Sequence, residues 1–75
     1  MTTPEARTRI DAARSVNDMI VNGYRILFET RISNHEYMTK LRHRSNGNVA
    51  RVLVDGCTWE LWINGQLSKK VTTGV

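Results

Sequence analysis

Residues 46–65 read Asn46-Gly47-Asn48-Val49-Ala50-Arg51-Val52-Leu53-Val54-Asp55-Gly56-Cys57-Thr58-Trp59-Glu60-Leu61-Trp62-Ile63-Asn64-Gly65. Three dipeptides, Asn46-Gly47, Asp55-Gly56 and Asn64-Gly65, divide the stretch into two short runs. Type I′ turns need positive φ at both central residues, so Asn-Gly and Asp-Gly are the strongest local signals for a β-hairpin. Within the runs, Ala50, Val52 and Val54 fall on one phase of a period of two, and Trp59, Leu61 and Ile63 do the same around Glu60. That period is the mark of half-buried strands.

The same pattern extends in both directions. Tyr24, Ile26, Phe28, Thr30 and Ile32 alternate with Arg25, Leu27, Glu29 and Arg31, and Ser33-Asn34 is a further, weaker turn pair. The spacing predicts strands over about 24–32, 35–45, 48–54, 57–63 and 66–71. Taking each dipeptide as a two-residue loop sets a register. Asp55-Gly56 puts Val52 opposite Trp59, Ala50 opposite Leu61 and Arg51 opposite Glu60. Asn46-Gly47 puts Leu41 opposite Val52. Ser33-Asn34 puts Ile26 opposite Leu41, Phe28 opposite Thr39 and Arg31 opposite Glu36. Asn64-Gly65 puts Trp62 opposite Leu67 and Glu60 opposite Lys69. The four counts are independent, yet they agree in phase. They gather Tyr24, Ile26, Phe28, Thr30, Tyr37, Leu41, Ala50, Val52, Val54, Trp59, Leu61 and Ile63 on one face, which is a core. Residues 34–45 also admit a short helix. Ser33 and Glu36 have capping-box spacing, Tyr37 and Leu41 lie four apart, and Asn46-Gly47 would end it, giving an α-β-α-β-β-β order.

The lid for that core lies at residues 3–22. Thr2 or Thr3 caps a helix, Pro4 suits its first turn, and Asn22-Gly23 stops it. Ala6, Ile10, Ala13, Val16, Met19 and Ile20 recur at helical period, with Ala12 and Val21 at the margins. The fold class is therefore α+β: one N-terminal helix on one face of a four- to five-stranded antiparallel meander, in a single domain over residues 1–75. Met1 and the tail from Thr72 to Val75 are expected to fray.

Composition narrows the function class. Seventy-five residues with 40% apolar content make one small globular domain, which buries only about 60–65% of its unfolded surface. The single Cys57 excludes an intramolecular disulfide and favours a cytosolic setting. No stretch approaches a membrane span. The net charge of +4 favours anionic partners.

The face away from the helix is where function is expected. Counting across the strands gives a row Arg25, Arg42, Arg51, Glu60, Lys69. Like charges side by side destabilise a sheet, so folding alone does not explain three neighbouring arginines. Lys40, Arg44 and Trp62 share the face. Arginine forks match phosphate and carboxylate, and an exposed tryptophan is a platform for a base or an anchor for a protein. The candidate binding residues are Arg25, Lys40, Arg42, Arg44, Arg51, Trp62 and Lys69. The expected function is non-catalytic binding of an anionic macromolecule, nucleic acid foremost. The alternative is a stoichiometric inhibitor or adaptor that binds a protein, of the phage or mobile-element type. Val49, Leu53, Trp62 and Leu67 also suggest a homodimer contact on this face. The bland reading is a solvated surface on which arginine stems cover apolar side chains.

No catalytic, cofactor or metal motif emerges. His35, His43 and Cys57 lie on separate turns without ligand spacing. His43 reads as a partly buried, hydrogen-bonded histidine and His35 as solvated. Asp55 is a turn residue, and no serine has a nucleophile-elbow context. An enzyme is not expected.

Overall fold

The computed structural model describes residues 3–73. They form α1 (Pro4–Val21), β1 (Tyr24–Arg31), β2 (Glu36–His43), β3 (Val49–Asp55), β4 (Thr58–Ile63) and β5 (Gln66–Thr72). The strands make one antiparallel sheet in chain order, and α1 packs against one of its faces. The α+β meander is thus present with all five strands. Residues 36–43 are a strand, so the alternative second helix over 34–45 does not form. Its capping-box pair does meet, with Ser33 Oγ donating to Glu36 Oε1 at 2.9 Å. The pair tightens a turn there, because Ile32 N–H bonds the Glu36 carbonyl at 2.8 Å and continues the ladder.

Helix α1 begins where Thr3 Oγ1 accepts the Ala6 amide at 3.1 Å, with Pro4 in the first turn. It ends at Asn22, whose side chain donates to the Asp18 carbonyl at 2.8 Å. The chain leaves through Gly23 at φ +101°, a conformation open to glycine. Thr2 as a cap and the fraying expected at Met1, Gly74 and Val75 lie outside the described residues, whereas Thr72 and Thr73, expected to fray with them, are held by β5 and by a bond from the Thr73 amide to the Cys57 carbonyl at 2.7 Å.

Two of the turns depart from the two-residue loops centred on Asp55-Gly56 and Asn46-Gly47. Asp55 pairs with Thr58, so the β3–β4 loop is Gly56-Cys57. His43 bonds Asn48, so Arg44–Gly47 form a four-residue β2–β3 loop. Each change slides the pairing by two residues, so Val52 faces Leu61 and Leu41 faces Ala50. A slide of two preserves which face each side chain occupies. Asn64-Gly65 is a two-residue loop with φ of 51° and 79°, as its sequence demands.

Two bulges do change faces. Between β1 and β2, Ile26 faces Leu41 but Phe28 faces Lys40, leaving Leu27 as the extra residue. Between β4 and β5, Trp62 faces Leu67 but Leu61 faces Lys69, leaving Ser68 extra. One inserted residue reverses every side chain beyond it. Phe28 and Thr30, expected in the core, therefore lie on the outer face. Lys69, expected on the outer face, lies on the helix side.

The core joins Ala12, Val16 and Met19 of α1 to Leu41, Ala50, Val52, Val54 and Trp59. Tyr24, Tyr37, Leu61, Ile63 and Val71 pack around it. The helix crosses the sheet diagonally. Near its start, Thr8 is fully buried; its Oγ1 donates to the Pro4 carbonyl at 2.8 Å and accepts from Thr73 Oγ1, just past β5, at 2.6 Å. Its other end is tied to β1 and His43. This path buries a narrow stripe of Thr8, Ala12, Val16 and Met19 and leaves Ile10 and Ile20 exposed, contrary to the periodicity. It also leaves bare the sheet corner made by the far half of β1 and the near half of β2. Among the described residues, no helix is long and apolar enough to cross a membrane.

Candidate functional site

The outer face is organised by the pairings above. The expected row Arg25, Arg42, Arg51, Glu60, Lys69 does not exist, because the slides in register redistribute it. Arg25 faces Arg42, which faces Val49. Glu60 lies between Leu53 and Lys70, with its Oε2 4.0 Å from Lys70 Nζ. Arg51 lies between Lys40 and Trp62.

What replaces the arginine row is a line across all five strands: Phe28, Lys40, Arg51, Trp62, Leu67. Two cations stand between two aromatic rings. Lys40 Nζ is 5.9 Å from the Phe28 ring centre, a cation–π distance. Trp62 is half-buried, and its indole N–H donates to Glu60 Oε1 at 3.2 Å, which fixes the ring on the sheet. Phe28 is 45% exposed. Three strand spacings separate the two rings, about 14 Å.

A strict period of two puts Phe28 in the core, and the bulge at Leu27 turns it onto the outer face. The sequence carries a signal of that bulge. Ile26-Leu27-Phe28 is a run of three apolar residues, which breaks alternation at the bulge.

At one end of this face, Arg25, Arg42 and Arg44 border an open hollow of about 680 Å³ with His43, Ser45 and Gly47. The guanidinium groups of these arginines have no ion pair or hydrogen bond among the described residues. Their frame is fixed by His43. Its Nδ1 accepts the amides of Ser45 and Asn46 at 3.1 and 3.3 Å. Nε2 must then carry the proton and donate to the Asn22 carbonyl at 3.0 Å. Tyr24 meets the ring edge-on at 4.8 Å, and Arg44 N–H bonds the Gly23 carbonyl at 2.9 Å. The partly buried, hydrogen-bonded histidine expected from the sequence is this ring.

Lys69 belongs to neither group. It crosses the other face with Nζ 5.6 Å from the buried Trp59 ring. The apolar set Val49, Leu53, Trp62 and Leu67 is not one stripe. Trp62 and Leu67 are neighbours, whereas Val49 and Leu53 flank Arg51 along β3.

The helix side carries a second concavity at the bare corner. A groove of about 480 Å³ runs between α1 and β1–β2, floored by Val16, Ile26, Tyr37 and Val52. Arg9, Glu29 and Arg31 line it too, and Arg9 lies 4.9 Å over the Tyr37 ring. Elsewhere, His35 Nε2 is 3.4 Å from Asp55 Oδ1 at an exposed end of the sheet. Among the described residues, no three His, Cys, Asp or Glu side chains cluster as metal ligands. Compared with known proteins, the chain matches no family model, no curated protein and no solved structure.

Proposed function

We propose that the chain is a non-catalytic binding protein that holds single-stranded nucleic acid on its outer sheet face. The observation that carries this reading is the Phe28–Lys40–Arg51–Trp62 line, in which two accessible rings flank two cations. Bases of a single strand are free to stack on such rings, and every base offers a π-face, so binding of this kind tolerates sequence variation. Arg25, Arg42 and Arg44, whose guanidinium groups have no partner among the described residues, supply charge for the phosphates at one end. A duplex keeps its bases stacked inside and would use only the cations.

Fluorescence anisotropy with labelled single-stranded DNA and RNA tests this. Phe28→Ala and Trp62→Ala should each weaken binding by about 1–3 kcal/mol while leaving the salt slope unchanged. Arg42→Ala should lower that slope by about one. Absence of binding to any single strand at low salt ends the proposal.

The same Trp and Arg content is also what protein interfaces favour, and Trp62 beside Leu67 is the observation in favour of a protein-binding inhibitor or adaptor. In that case, Trp62→Ala would abolish capture of one dominant partner from an extract, and nucleic acid would not compete.

A further inference from the structure

We infer that a second copy of this chain pairs with β1, joining two sheets into one across a two-fold axis at Thr30. The inference rests on the edge of β1 and not on Trp62, and of the residues assigned to nucleic-acid binding it shares Phe28 alone.

The two edges of the sheet are not alike. Among the described residues, eight large apolar side chains stand exposed, and four of them, Ile26, Leu27, Phe28 and Ile32, belong to β1 and its exit. Strand β5 exposes only Leu67 among them and carries Lys69 and Lys70, the charges that guard an edge against pairing. Beyond its bulge, β1 continues as an unbroken ladder from Phe28 to Ile32. Ile32 N–H points to β2, where it bonds the Glu36 carbonyl. By alternation, the amides of Glu29 and Arg31 point outward to the open edge.

Charge selects the occupant and the register. A two-fold axis through Thr30 pairs β1 with itself in antiparallel order. Glu29 then faces the partner's Arg31, and Arg31 faces the partner's Glu29. These are the two residues whose backbone groups point outward, so each pair also exchanges both ladder hydrogen bonds. Glu29 has no ion-pair or hydrogen-bond partner among the described residues. Arg31 donates to the Ser33 carbonyl at 3.1 Å and to Asn34 Oδ1 at 2.9 Å, which leaves three of its five N–H groups free. On the outer face, Phe28 falls opposite the partner's Ile32. The contact is isologous and closes at two copies.

The test is a charge exchange read by sedimentation velocity from micromolar to millimolar protein. The unmodified chain should pass from monomer to dimer in that range. Glu29→Arg sets arginine against arginine, and Arg31→Glu sets glutamate against glutamate. Each alone should weaken dimerisation on the order of tenfold or more. An equimolar mixture of the two variants should restore it, because every facing pair is then opposite in sign. Only folded chains can show that rescue. Trp62→Ala should leave the dimer intact. A monomer at every concentration, a dimer indifferent to the single reversals, a mixture that fails to associate, or loss of the dimer in Trp62→Ala would each overturn the inference.

Discussion

Strands β1 and β3 belong to the same sheet, are nearly equal in length and carry similar apolar content, yet they do opposite things. In β3, Ala50, Val52 and Val54 are 0%, 2% and 8% exposed. In β1, Ile26, Leu27 and Phe28 are 39–45% exposed. The difference comes from position: β3 lies centrally beneath α1, whereas β1 is an edge that the diagonal helix crosses only near its start. Apolar content therefore stabilises the fold in one strand and remains available for contact in the other. Stability should respond to changes beneath the helix, and association to changes at the edge.

The largest effect expected is in the covered part. Leu41 is fully buried opposite Ala50, and Leu41→Ala should cost about 2–5 kcal/mol by denaturant unfolding. A domain of this size has roughly 4–11 kcal/mol in total, so the variant sits close to its limit. An intermediate effect is expected at the hinge between helix and edge. A Cβ on Gly23 would lie 2.8 Å from His43 Nε2, and the φ of +101° is strained for any side chain. The ring cannot swing away without giving up its bonds to Asn22, Ser45 and Asn46. Gly23→Ala should cost about 1–3 kcal/mol, and its amide signals should show disturbance in the Arg44–Gly47 loop. The smallest effect is at the edge. Phe28→Ser should change stability by less than about 0.5 kcal/mol. A loss above about 1 kcal/mol would erase the contrast, because it would make β1 part of the core.

The strand order and the identity of the core face could be read from the chain, because a period of two survives any slide of an even number of residues. Val52 faces Leu61 in place of Trp59 and keeps its place on the core face. Asn64-Gly65 was read correctly because both residues must adopt positive φ and both do. The bulges were not read, since neither announces itself with a turn dipeptide, and each reverses a face. This moved Phe28 onto the candidate site and Lys69 away from it. In the helix, periodicity weighs Ile10 and Ile20 above Thr8, but close packing against a sheet rewards small residues, and the buried Thr8 hydroxyl is satisfied by Pro4 and Thr73. That pairing joins residues 65 positions apart, beyond the reach of any local pattern. Of the site, Arg25, Lys40, Arg42, Arg44, Arg51 and Trp62 all lie on the outer face or its rim; Arg25 still faces Arg42 and Trp62 still faces Leu67, and the other neighbours differ from those counted.

The Thr8–Thr73 contact also has a consequence for the order in which a growing chain becomes protein. Helix α1 leaves the ribosome before any surface it will cover has been made. An isolated helix of 18 residues is marginal in water, so Ala12, Val16 and Met19 wait without a partner while the strands are translated. The meander suits this sequence of events, since each new strand pairs with the one just finished and no early strand must find a late one. The surface that α1 covers is complete only when β4 has been added. The hydroxyl of Thr8 bonds Pro4 within its own turn, but its bond to Thr73 must wait until β5 has been made.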